Sequence, residues 1–171
     1  MLEKYLNDPN CLTSMRQEIN KRLKGIETFG PGTIAPNIVM HNSDNRLFEL
    51  NNYQNEKPYL LVIFWSAGCG HCVEMVEKLS LLFQREEIRQ NLDIIAISLD
   101  ETDIETEAWQ QKIKELNGWI HLQAHDGVRS KVANDYYILG IPVMILLNVK
   151  SKEIISLPEN IDVLNEYFKL K

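Results

Sequence analysis

No apolar run in the 171 residues extends beyond Tyr59–Trp65, far short of the roughly 20 residues a helix needs to cross a bilayer. The opening stretch, MLEKYLNDPNCLTSMRQ, has none of the apolar core that secretory leaders carry. Two locations fit that: the cytoplasm, or an envelope compartment reached by a chain whose leader is missing from this sequence. Positive charge is scarce too. Lys and Arg number 18 against 24 Asp and Glu, a net charge of −6, which argues against the basic face that nucleic-acid binding requires. Three cysteines are too few for a disulfide framework, so any pairing is local. Repeats and low-complexity tracts are absent as well.

The length fits one domain, since domains run about 100–200 residues. Leu12, Met15, Ile19 and Leu23 fall at helical spacing, with Lys21, Arg22 and Lys24 in the last turn and Gly25 as a stop. Cys11 sits among these apolar residues as a small hydrophobe or an idle thiol. After the break at FGPGTIAPN, the segment IVM-HNSDN-RLFEL reads as a β-hairpin with a polar turn. PYLLVIFW is a continuous apolar run of strand length, as in a sheet covered on both faces. A helix over 70–86 carries Val73, Val76, Leu79 and Phe83 on one side, and LDIIAISL is a second buried strand. Thr102 and Glu105 form a capping box that opens a helix with Ile104, Ala108, Ile113 and Leu116 aligned. Asn117-Gly118 ends it. A short helix near 128–134, strands VMILLN and KEIISL, and a closing helix NIDVLNEYFKL complete the order. That succession predicts an α/β sandwich whose sheet is parallel in part, with an antiparallel edge. The acidic stretch DETDIETE complements the dipole at a helix start.

SAGCGHC, residues 66–72, lies between the first buried strand and its helix. Residues three apart on a helix have Cβ atoms about 5–6 Å apart, and the first turn adjusts to the shorter separation of a disulfide. The pair can therefore open and close with little backbone motion. A helix start favours an anion through its unpaired N–H groups, and the thiolate is the attacking form of cysteine. Cys69, nearer the start, reads as the exposed nucleophile, and Cys72, one turn in, as the resolving thiol. Gly70 lets the turn bend, and His71 can carry positive charge beside the pair.

Other readings are weaker on physical grounds. A structural staple gains stability by closing a long loop, and this one closes almost nothing. His121 and His125 form an H-x3-H, but 48 residues separate Cys72 from His121, against about 12–15 in a zinc finger. His121 lies in WIHLQAH, a strand running into a loop, where a core or solvated histidine is ordinary. No metal is therefore expected.

The chain resembles the thioredoxin superfamily, and within it the TlpA/ResA-like thiol–disulfide oxidoreductases. GTIAPNIVM matches the opening strand, LVIFWSAGCGHC the active site, IAISLD the next strand and YYILGIPVMILLN the proline ahead of a strand. The match covers roughly Gly32 to Lys171. It implies a thioredoxin-like three-layer α/β/α sandwich with a mixed central sheet, an N-terminal hairpin and an extra N-terminal helix. The corresponding division is a helical extension over 1–30 and a thioredoxin-like domain over 31–171. The resemblance further implies that Pro142 is cis, with the Ile141 backbone against the disulfide holding substrate chain, and that Trp65 is the aromatic ahead of the motif. Ile-Pro after Gly and before an apolar strand is itself suited to a tight cis bend; a trans proline starting a strand is the other reading.

Some positions depart from the family. Gly68 stands where many relatives have Trp. The buried acid that thioredoxins carry six residues before the first cysteine is replaced by Ile63, and the Glu that ResA-like proteins carry three residues after the second cysteine by Met75. Glu74 is the nearest acid to Cys72, on a helix side that reads as solvent-facing. A peroxiredoxin-like P-x-x-x-T/S-x-x-C fails because Val62 occupies the proline position, although Ser66 fills the hydroxyl one.

The function expected is thiol–disulfide exchange with protein or peptide substrates through a redox-active Cys69–Cys72 disulfide. It needs no other cofactor and draws on an upstream redox partner. A non-catalytic peptide-binding domain of the same fold is the alternative. The resemblance implies the periplasm or cell envelope. Because Gly70-His71 favours the reduced pair, the potential is expected above the roughly −270 mV of thioredoxin, toward the roughly −180 mV of a disulfide isomerase. A glutathione redox titration measures it, and a value well below thioredoxin's would overturn the expectation.

Overall fold

The computed structural model describes residues 13–169; the reading of Cys11 lies outside them. The elements are α1 (Thr13–Thr28), β1 (Val39–His41), β2 (Leu47–Glu49), β3 (Tyr59–Trp65), α2 (Gly70–Phe83), α3 (Glu86–Arg89) and β4 (Leu92–Ser98). There follow α4 (Asp103–Lys112), β5 (Ile120–Gln123), α5 (Lys131–Asp135), β6 (Val143–Asn148), β7 (Ile154–Ser156) and α6 (Ile161–Lys169). Five strands form one mixed sheet in the order β5-β4-β3-β6-β7. The pairings β3–β4 and β4–β5 are parallel, while β6 pairs antiparallel with both β3 and β7.

β3 explains the layering. Its β-branched and aromatic residues suit a pleated, covered surface, and alternate side chains leave it in opposite directions. Leu60, Val62 and Phe64 join one apolar core with α5, the β1–β2 hairpin and Ala35. Leu61, Ile63 and Trp65 join a second core with α2, α3, Trp109 of α4 and Leu164 of α6. The expected α/β/α sandwich is what forms. The hairpin is a separate two-stranded sheet, joined to the edge strand β5 by an Asn42–Leu122 bridge.

Two local expectations need correction. Ile104 and Ala108 were expected on the packed face of α4, yet Ile104 is 81% exposed and Ala108 also faces solvent. The capping box is present as read, but the helix docks through Trp109, one position beyond that register. Gly25 does not end α1, which continues to Thr28. The glycine is buried against the ring of Tyr137, where an added Cβ would lie 1.8 Å from Cε1. Close packing, rather than helix termination, is its role.

At this position propensity favours alanine by about 1 kcal/mol, whereas a methyl driven into a packed ring costs about 1–3 kcal/mol. Gly25→Ala is therefore expected to destabilise the protein in urea unfolding. Adding Tyr137→Ala should recover most of that loss in a double-mutant cycle.

Candidate active site

β3 ends at Trp65 and α2 begins at Gly70, so the CxxC motif straddles the junction. Cys69 is the N-cap of α2: its backbone is extended, and its sulfur accepts the Cys72 N–H at 3.3 Å. A serine or aspartate oxygen usually takes this place; here the acceptor is the sulfur of the pair itself. The Cys69 N–H donates to the Ser66 carbonyl at 3.2 Å, and the Val73 N–H to the Cys69 carbonyl at 3.0 Å. Neither cysteine is in a disulfide.

The two thiols occupy different surroundings. Cys69 is half-buried, while Cys72 is fully buried among Val76, Leu79 and Trp65. Burial is the largest of several causes that together push the Cys72 thiol from an ordinary 9.0 up to about 12. The hydrogen bond with Cys69 is the next cause of the rise, a hydrogen bond from the Ser66 backbone opposes it, and the charges of Cys69 and Asp100 contribute less. Cys72 therefore holds its proton at neutral pH.

Asp100 was missed in the sequence, where it reads only as the end of a strand. It is 1% exposed. It accepts the hydroxyls of Ser66 and Ser98, the latter at 2.6 Å, and the Ala67 N–H at 2.9 Å. The Gly68 N–H donates to the Ser66 oxygen at 3.0 Å. These bonds order the turn that delivers Cys69. The signal available was positional: an acid just past the end of a buried strand adjacent, by its order in the chain, to the CxxC strand.

The remaining candidates divide between surface and core. His71, Gly70 and Pro142 are exposed, and Ile141 is half-buried against both cores. The Ile141–Pro142 peptide is cis. His71, Met75 and Pro142 line one cleft, together with Asn160 ahead of α6. Trp65 is wholly buried and its indole N–H has no hydrogen-bond partner, so it supports the site from beneath. Glu74 is exposed and paired with Lys78 at 2.7 Å. Gly68 lies under Glu105 of α4: a Cβ there would sit 2.9 Å from Oε1. His121 is buried, held by the Leu116 carbonyl at 3.1 Å and stacked on Trp119, and burial lowers its pKa. Among the described residues no group of three or more His, Cys, Asp or Glu side chains is arranged to hold a metal, and no helix is long and apolar enough to cross a membrane.

None of the curated proteins matches the chain. Among solved structures it is similar to a thiol-disulfide oxidoreductase from Bacteroides fragilis NCTC 9343, at 26% identity and a TM-score of 0.67, over 81% of this chain and 98% of that one. It is similar in fold to a thioredoxin-like protein from Bacteroides caccae ATCC 43185, at 23% identity and a TM-score of 0.74, over 99% of this chain and 60% of that one. The thioredoxin domain of a thiol-disulfide oxidoreductase from Bacteroides vulgatus shares the fold at 24% identity and a TM-score of 0.68, over 84% of this chain and 98% of that one. A family model described as thioredoxin-like matches residues 57–154, more than half of the sequence and the whole of the strand–CxxC–helix unit, and the chain belongs to that thioredoxin-like family.

Proposed function

We propose that the protein is a thiol–disulfide oxidoreductase that exchanges disulfides with protein or peptide substrates through Cys69 and Cys72. The observation that carries this is the asymmetry of the pair: one sulfur reachable at a helix start, the other closed off one turn below with its proton held. The similarity to a thiol-disulfide oxidoreductase at 26% identity supports it. The TlpA/ResA-like resemblance implies an oxidising compartment such as the cell envelope as its setting.

In the reductive direction the Cys69 thiolate attacks a substrate disulfide. A Cys69–substrate bond forms as the substrate S–S bond breaks, and the departing thiolate takes a proton from water. Cys72 then gives its proton to solvent, and its sulfur attacks that of Cys69. The Cys69–Cys72 disulfide forms and the second substrate thiolate leaves. An upstream thiol partner returns two electrons and two protons to the pair. The reverse sequence oxidises a substrate dithiol, and neither direction needs a further cofactor.

The order of steps follows from what holds the Cys72 proton. Two causes of the upward shift are the hydrogen bond with Cys69 and the charge on Cys69. Both vanish once Cys69 is in a mixed disulfide, so the resolving thiol becomes easier to ionise at the stage that needs it. Gly70 and the exposed His71 leave the approach open, and the cleft beside Pro142 runs along the same face.

With dithiothreitol as reductant the protein is expected to accelerate insulin reduction, and Cys69→Ser should fall to the uncatalysed rate. Equal activity in both would leave only the peptide-binding alternative. Cys72→Ser should accumulate a mixed disulfide at Cys69 that mass spectrometry identifies. Iodoacetamide should label the folded, reduced protein at Cys69 but not at Cys72 below about pH 9. The Cys72 label should appear only on unfolding, or as pH rises toward about 12, because alkylation needs the thiolate.

A further inference from the structure

β4 has a buried acid near each end, and the two are handled differently. Asp93, at its start, meets a cation: Lys57 Nζ lies 2.7 Å away, with the Tyr53 hydroxyl at 2.6 Å. Asp100, two residues past its end, is surrounded by hydroxyls and amides that belong to the neighbouring turn. It holds Ser66 by the side chain and Ala67 by the backbone, with the Gly68 N–H at 3.5 Å. Ser98 braces the carboxylate from its own strand, donating to Oδ2 and accepting the Asp100 N–H at 3.1 Å.

Ser66, the residue so held, touches both cysteines. Its carbonyl accepts the Cys69 N–H, and its backbone hydrogen-bonds to Cys72. One side chain from just past the end of β4 thus fixes the residue that sets both sulfurs.

We propose that Asp100 is the positioning residue of the redox pair, holding the Ser66–Gly68 turn so that the Cys69 and Cys72 sulfurs meet. The proposal deepens the oxidoreductase reading and takes its significance from it. The effect is geometric. A fixed turn raises the effective concentration of one sulfur at the other, which favours the closed disulfide. Loosening the turn should shift the balance toward the dithiol.

The test compares Asp100→Asn with Asp93→Asn in glutathione buffers, reading dithiol and disulfide by alkylation and mass. Asp100→Asn is expected to lower the equilibrium constant for disulfide formation roughly tenfold, which for a two-electron couple is about 30 mV. Asp93→Asn should cost thermal stability and leave that constant unchanged. An unchanged constant in Asp100→Asn overturns the proposal, as does an equal shift in Asp93→Asn, which would report general loosening. If Asp100→Asn does not fold, Ser66→Ala takes its place: a shift in the same direction supports the role and no shift overturns it. The readout needs no catalysis. If wild-type protein fails to reduce insulin while the constant still moves, the oxidoreductase reading falls and the positioning stands. If insulin is reduced and the constant does not move, the reverse holds.

Discussion

The site depends on the register of two parallel strands. Tyr59 lies opposite Leu92 and Trp65 opposite Ser98, with every residue between them paired. Both strands therefore end at the same level, and their following loops leave the sheet side by side. One carries the cysteines and the other carries Asp100. A slip of one residue would turn each strand's side chains to the wrong face and would also move Asp100 out of reach of Ser66. Continuous burial on both faces of β3 and β4 prevents that slip, so the two apolar cores fix the chemistry at the strand ends as well as the fold.

From that level the environment changes steeply over one helical turn. Cys69 meets solvent at a helix start, and Cys72 sits among apolar side chains with no exposed surface. The helix supplies this difference without special residues: position N-cap lies at the mouth and position N3 inside. Hydrogen bonding then ties the two, since the N3 amide that a helix start leaves unpaired is satisfied by the sulfur of Cys69. Substitution at either cysteine therefore alters the helix start as well as the redox pair.

The continuous apolar strands, the capping box and the CxxC at the strand–helix junction were legible because each is a local pattern. So was the outward direction of Glu74, from its place on the helix. Asp100 was not legible: thirty residues separate it from Cys69, and only sheet pairing joins them. Where the resemblance would place an acid, Ile63 and Met75 are buried apolar core; the buried carboxylate comes instead from just past the end of the adjacent strand. Gly25 and the packed face of α4 were misread for a related reason. A glycine at the end of an apolar pattern looks like a stop until the fold brings Tyr137 against it, and Ile104 looks like core until α4 docks through its own Trp109 instead.

Gly68 and Glu105 meet over the mouth of the site. The carboxylate that completes the capping box of α4, bonding the Thr102 N–H at 3.0 Å, also fills the space a side chain at 68 would take. The openness of the active site is thus shared with the nucleation of a helix that contains none of its cysteines. A side chain at 68 would meet that carboxylate first and displace it from the place where it caps α4.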